Sequence, residues 1–149
     1  MKTIVVNQVQ RDRAQIEKVP AAAFYPGHLL ELTTSDTVQK HSSQNGIVTP
    51  PMFAIEDNIQ GNTIDTAYAT TGRAQVWIPQ RGDEVYAVLA DGQNVSIGSK
   101  LASNGDGTLK IHTANIIAVA TEALDLSDSS GGESSGTLGY DKRVKVRIV

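Results

Sequence analysis

Arg143-Val144-Lys145-Val146-Arg147-Ile148-Val149 is the stretch that decides the fold class: aliphatic Val144, Val146 and Ile148 alternate with cationic Arg143, Lys145 and Arg147. A period of two marks a pleated strand with one face on a core and the other toward solvent. The aliphatic residues are therefore expected inside and all three cations outside, on one basic face. Working outward, Glu84-Val85-Tyr86-Ala87-Val88-Leu89-Ala90 is nearly continuously apolar and is closed by Asp91-Gly92. Such a run predicts a strand covered on both faces, by the core and by a subunit partner or an arm. Trp77, Tyr86 and Val88 are the residues assigned to core or subunit contacts.

Short β-branched or aromatic runs separated by Gly, Asn, Asp and Ser recur at residues 28–32, 37–40, 52–56, 74–78, 95–97, 108–112 and 116–122. Asn104-Gly105-Asp106-Gly107 supplies turn residues that tolerate positive φ, and it predicts a hairpin between Leu101 and the 108–112 strand. Helical periodicity is confined to 11–18 and 63–70. The expected fold is all-β, a small β-barrel or β-sandwich with minor helix. Residues 1–20 read as an extended N-terminal arm that becomes ordered against a partner, and 21–149 as one β-rich domain with a flexible loop at 127–139, too poor in apolar residues to offset its ordering entropy.

The chain has 149 residues and no cysteine, which excludes disulfides and thiolate chemistry and leaves packing and hydrogen bonds to hold one domain. No apolar run approaches the roughly 20 residues of a membrane helix, and no secretory signal core is apparent, so neither a membrane nor a secretory role is expected. A net charge of −3 argues against nucleic acid as a partner. That charge is unevenly spread, because basic residues gather at both ends (Lys2, Arg11, Arg13 and Lys18; Lys142, Arg143, Lys145 and Arg147) around an acidic middle. Two readings follow: docking on an acidic protein surface, or neutralisation of a neighbouring subunit.

A search for chemistry yields little. His28, His41 and His112 lie on three separate predicted elements without metal-ligand spacing, and are expected at the surface or at sheet edges. The adjacent acids Glu56-Asp57 and Asp83-Glu84 point to opposite faces of a strand and read as solvated turn charges. Asp106 belongs to the hairpin turn, since the residues after it lack the bidentate acid of a calcium loop. Arg81-Gly82-Asp83 matches an adhesion tripeptide but reads as a tight turn. No Gly-rich phosphate loop is present. Neither a catalytic residue, a metal ligand nor a cofactor site is assigned, and the chain is expected not to be an enzyme.

Three stretches carry a likeness to a known family: residues 6–16 (Val-Asn-Gln-Val-Gln-Arg-Asp-Arg-Ala-Gln-Ile), residues 25–32 (Tyr-Pro-Gly-His-Leu-Leu-Glu-Leu) and residues 76–87 (Val-Trp-Ile-Pro-Gln-Arg-Gly-Asp-Glu-Val-Tyr-Ala). With Asp91-Gly92-Gln93-Asn94, Ile97-Gly98 and residues 104–109, the chain resembles bacteriophage head decoration proteins, also called cement or head-stabilising proteins, over most of its length. The resemblance implies a homotrimer on the outer surface of the expanded capsid, with the major capsid protein as partner and no reaction. On charge and order, Arg11, Arg13, Arg143, Lys145 and Arg147 are the capsid-binding candidates. A head-fibre or tail receptor-binding protein, presenting loops 41–46 and 127–139, and a trimeric β-barrel enzyme are the alternatives.

Overall fold

A computed structural model describes residues 2–8, 14–128 and 142–149. The described chain is nearly all β, with little 3-10 structure. Five strands, β2 (Gln15–Pro20), β3 (Leu29–Leu32), β4 (Thr37–Lys40), β5 (Met52–Ala54) and β6 (Ala74–Trp77), close a barrel in the order β2-β4-β3-β5-β6. Closure depends on β2, which pairs parallel with β4 (Val19 opposite Thr37) and antiparallel with β6 (Gln15 opposite Trp77). Against the barrel lies a six-stranded antiparallel sheet, β1-β7-β13-β11-β9-β10, built from β1 (Val5–Asn7), β7 (Glu84–Val88), β9 (Lys100–Ser103), β10 (Leu109–Ile111), β11 (Ala118–Ala120) and β13 (Arg143–Ile148). The strands β8 (Asn94–Val95) and β12 (Leu124–Asp125) form a small ribbon.

The pleat of the barrel strands sorts their side chains into two cores. Leu30, Val38, Met52, Ala54, Ala74 and Val76, joined by Ile16, fill the barrel. Their strand neighbours Leu29, Phe53 and Trp77 point the other way and pack with Val85, Ala87, Val144, Val146 and Ile148 of the sheet. Burying both cores provides the main driving force for folding, since each fully buried aliphatic or aromatic side chain contributes about 1.5–3 kcal/mol.

The expected hairpin forms, with Ser103 opposite Leu109 and the turn held by Asp106, whose Oδ1 accepts from the Thr108 backbone N–H at 3.1 Å. Trp77, Tyr86 and Val88 are all buried within the chain itself. One face of β7, through Val85 and Ala87, packs on the barrel core, and on the other Lys2 lies over the Tyr86 ring.

Three expectations are corrected. Residues 15–20, read as part of an arm and partly as a helical turn, form a barrel strand stabilised by cross-strand bonds Gln15 Nε2 to Gln75 Oε1 (2.7 Å) and Gln75 Nε2 to Glu17 Oε1 (2.6 Å). Val5–Asn7 likewise pairs with β7 of its own chain. Residues 63–70 contain turns rather than helix, and the 3-10 turn is at Asn58–Gln60, where the Asp57 carboxylate accepts from Gln60 N–H and Gly61 closes the turn at φ 77°. His28 and His41, expected at the surface, are buried, as are the carboxylates of Glu56 and Asp83. Glu56 Oε2 accepts from the buried Ile4 backbone N–H (3.2 Å) and Asp83 Oδ2 from that of Gln80 (2.9 Å), so both acids satisfy backbone donors.

Candidate functional site

The seam where the barrel meets the sheet settles the fate of the first cation of β13. The turn Tyr25-Pro26-Gly27 leads into β3 and presses on β7: Val88 N–H donates to Gly27 O at 3.0 Å. Gly27 has φ 95°, and a Cβ there would lie 3.0 Å from Tyr86 O and 3.3 Å from Ile4 Cδ1, so any other residue there is strained and crowded. Arg143 extends under this turn. Its Nε donates to Pro26 O at 3.1 Å, its Nη2 to Ile64 O, and its Nη1 reaches Asp65 Oδ1 at 3.4 Å. Arg143 is 1% exposed. Its assignment to a capsid-facing surface is therefore corrected: it is a clamp that joins the barrel turn, the 56–73 loop and the sheet.

Past that clamp the same pleat of β13 emerges from the barrel. Lys145 and Arg147 are exposed, as expected from the alternation. Register then brings in residues that the sequence keeps far apart. Arg147 faces Val119, and Val119 faces Lys100, so one row of the outer sheet face carries Lys100, Val119, Arg147 and Glu84. Arg147 Nη2 is 3.8 Å from Glu84 Oε1, which also accepts from Thr121 Oγ1 at 2.8 Å.

Two concavities open on this face. Lys2, Thr3, Val6, Tyr86, Glu122 and Lys145 line one of about 300 Å³, in which Lys2 Nζ donates to Tyr86 Oη at 3.2 Å and lies 5.4 Å from the ring centre. Beside it runs a shallow groove of about 750 Å³ between Arg81, Ile97, Val119, Thr121, Arg147 and Val149. Ile97 is 75% and Val149 47% exposed, so its floor and walls are largely apolar. The face as a whole gathers the cations Lys2, Arg81, Lys100, Lys145 and Arg147 against Glu84 and Glu122. Cations beside an apolar groove are the chemistry that complements an acidic surface with apolar projections.

Arg11 and Arg13 lie outside the described residues, as does the 127–139 loop from residue 129 onward. Lys100 was not singled out from the sequence, and Lys2, Arg81 and Ile97 were named there but not as docking candidates. The signal that would have found them is strand register, which composition does not contain. Among the described residues no group of three or more His, Asp or Glu could hold a metal ion, and no helix is long and apolar enough to cross a membrane. Comparison of the sequence with protein-family models and with curated proteins finds no match to either.

Proposed function

We propose that this protein is a bacteriophage capsid decoration protein that binds the outer surface of the expanded head as a homotrimer, contacts the major capsid protein and stabilises the junctions between capsomers. The observation that carries this reading is the outer face of the six-stranded sheet, where Arg81 and Arg147 flank the apolar groove of Ile97 and Val149 and Lys2, Lys100 and Lys145 lie on the same face. The likeness of residues 6–16, 25–32 and 76–87 to head decoration proteins supports the same reading.

Its mechanism is geometric and needs no reaction. A closed trimer repeats one modest contact three times, and effective concentration turns that contact into tight attachment. Rim cations steer the encounter with an acidic lattice, while the apolar groove supplies the slow-dissociating part of the contact. Anything that binds only the assembled shell stabilises it against opening, by linkage. Preference for the expanded head follows when only that lattice sets three docking sites at the spacing of the trimer.

Co-sedimentation with undecorated compact and expanded heads tests the proposal. Saturable binding to expanded heads, in multiples of three per local threefold axis and weakened by salt, is the expected result. Absence of binding to both forms overturns it.

A further inference from the structure

A second polar cluster lies away from the docking face, where β3 of the barrel meets the end of β9. His41, 4% exposed, directs its two ring nitrogens to different surroundings. Nδ1 is 2.7 Å from Ser103 Oγ. Ser103 Oγ also accepts from the Gly105 backbone N–H at 3.1 Å, and the Glu31 carboxylate on the other side of the ring favours a proton on Nε2. Nε2 is 3.7 Å from Glu31 Oε2, too far for a hydrogen bond. Glu31 meanwhile receives Ser42 Oγ (2.6 Å) and Gln39 Nε2 (2.8 Å) on its other oxygen, Oε1. Burial pushes the Glu31 carboxyl up, but these two bonds and the nearby His41 outweigh it and hold the group below its usual value, so it is an anion at neutral pH.

Serine, histidine and glutamate in this order resemble a nucleophilic triad, but Ser103 is wholly buried and its oxygen cannot meet a substrate. The accessible atoms are those of Glu31 and His41. They line a cavity of about 210 Å³ with Leu32, Ile47, Pro50 and Met52. The cavity exists because the ladder between β3 and β5 stops at Leu30 opposite Met52. Continuing that register would set Pro50 against Leu32, and proline has no N–H to donate. Leu32 and Ile47 remain 50% and 76% exposed at the rim.

The cavity thus offers one directed donor, His41 Nε2–H, beside one anionic acceptor, Glu31 Oε2, next to the apolar side chains of Leu32, Ile47, Pro50 and Met52. We propose that it binds a primary carboxamide on a short aliphatic stem, as on a Gln or Asn side chain of a partner chain or a free small amide. The carboxamide oxygen accepts from His41 Nε2–H and its NH₂ donates to Glu31 Oε2, so both groups are satisfied at once. A carboxylate in that position is repelled by Glu31, and an ammonium leaves the histidine N–H without an acceptor. This reading is independent of the docking face.

Titration of the full chain with butyramide, butyrate and butylamine, followed through the His41 ring nitrogen and proton resonances, tests the proposal. Butyramide is expected to shift both with saturation in the millimolar range, and to bind at least about tenfold more tightly than either analogue. Glu31→Gln is expected to weaken butyramide by about tenfold while leaving the backbone spectrum outside the pocket unchanged. The tripeptide Gly-Gln-Gly, compared with Gly-Glu-Gly, separates the two sources: binding of the Gln peptide identifies a protein side chain, and binding of butyramide without it identifies a free amide. Equal binding of the three small probes, or no perturbation of His41 by butyramide, overturns the assignment, and this comparison on the unaltered protein does not depend on the variant folding.

Discussion

The two ends of β13 carry the same kind of residue on the same side of the same strand and have opposite fates. At one end Arg143 is enclosed by Pro26, Ile64 and Asp65 and joins barrel to sheet. At the other, Arg147 lies on an open face, loosely paired with Glu84. A buried guanidinium is retained only when it is fully hydrogen-bonded, because desolvation otherwise outweighs the attraction; an exposed one contributes little to stability and remains available to a partner. The difference separates a structural cation from those proposed to dock on a partner.

The sharpest way to break this comparison is to remove the guanidinium at each end. Arg143→Leu leaves two buried carbonyls without donors and opens the seam, and is expected to cost about 3–5 kcal/mol in urea unfolding. A loss under about 1 kcal/mol would mean that Arg143 is not the clamp described. Gly27→Ala attacks the same seam from the barrel side without touching a charge. The positive φ and the approach to Tyr86 O predict a loss of about 1–3 kcal/mol by the same assay.

The 56–73 loop, which supplies Ile64 and Asp65 to Arg143, has its own fastening in Tyr68, whose Oη donates to Ile55 O at 2.7 Å. Burial, with Asp57, Glu56 and Glu17 nearby, pushes the Tyr68 hydroxyl up to about 12. Its folded-state value thus lies above the unfolded one, so its contribution is fully present below about pH 10 and is lost as pH rises through about 12. Melting temperature should fall over that window, and Tyr68→Phe should flatten the fall. A slope unchanged by the substitution would assign the alkaline limb to other groups.

The smallest effect on stability is expected at the open end. Lys145→Glu with Arg147→Glu should change unfolding free energy by no more than about 0.5 kcal/mol. In co-sedimentation with expanded heads the same pair should weaken binding on the order of tenfold at low salt, with the deficit shrinking as ionic strength rises. Unaltered head binding would remove this face from the docking proposal, and a strongly destabilised protein would show that the outer end of β13 is as structural as the inner one.

Much of the architecture was legible in local pattern. Alternation specified β13, turn chemistry specified the hairpin at residues 104–107, and apolar continuity placed β7 in the core, because each depends on a period of two or on a backbone angle that a few neighbouring residues determine. β2 escaped that reading because its stabilising partners, Gln75 and Trp77, are some 60 residues away along the chain and its own face mixes Gln, Glu and Lys. The proposed docking face was half legible: Lys145 and Arg147 follow from alternation, whereas Lys2, Arg81 and Lys100 join them only through strand order.

What the sequence alone determined was therefore the all-β class, the main strands and the inward direction of Val144, Val146 and Ile148. Tertiary structure decided closure of the barrel through β2, the burial of Arg143, His28 and His41, and the pairing of Glu31 with His41 at a gap in the barrel wall. The physical reason is common to all of these. Pleat parity tells which way a side chain points, but what covers it depends on elements distant in the chain, and for a polar group that covering decides between a solvated charge and a buried, hydrogen-bonded one.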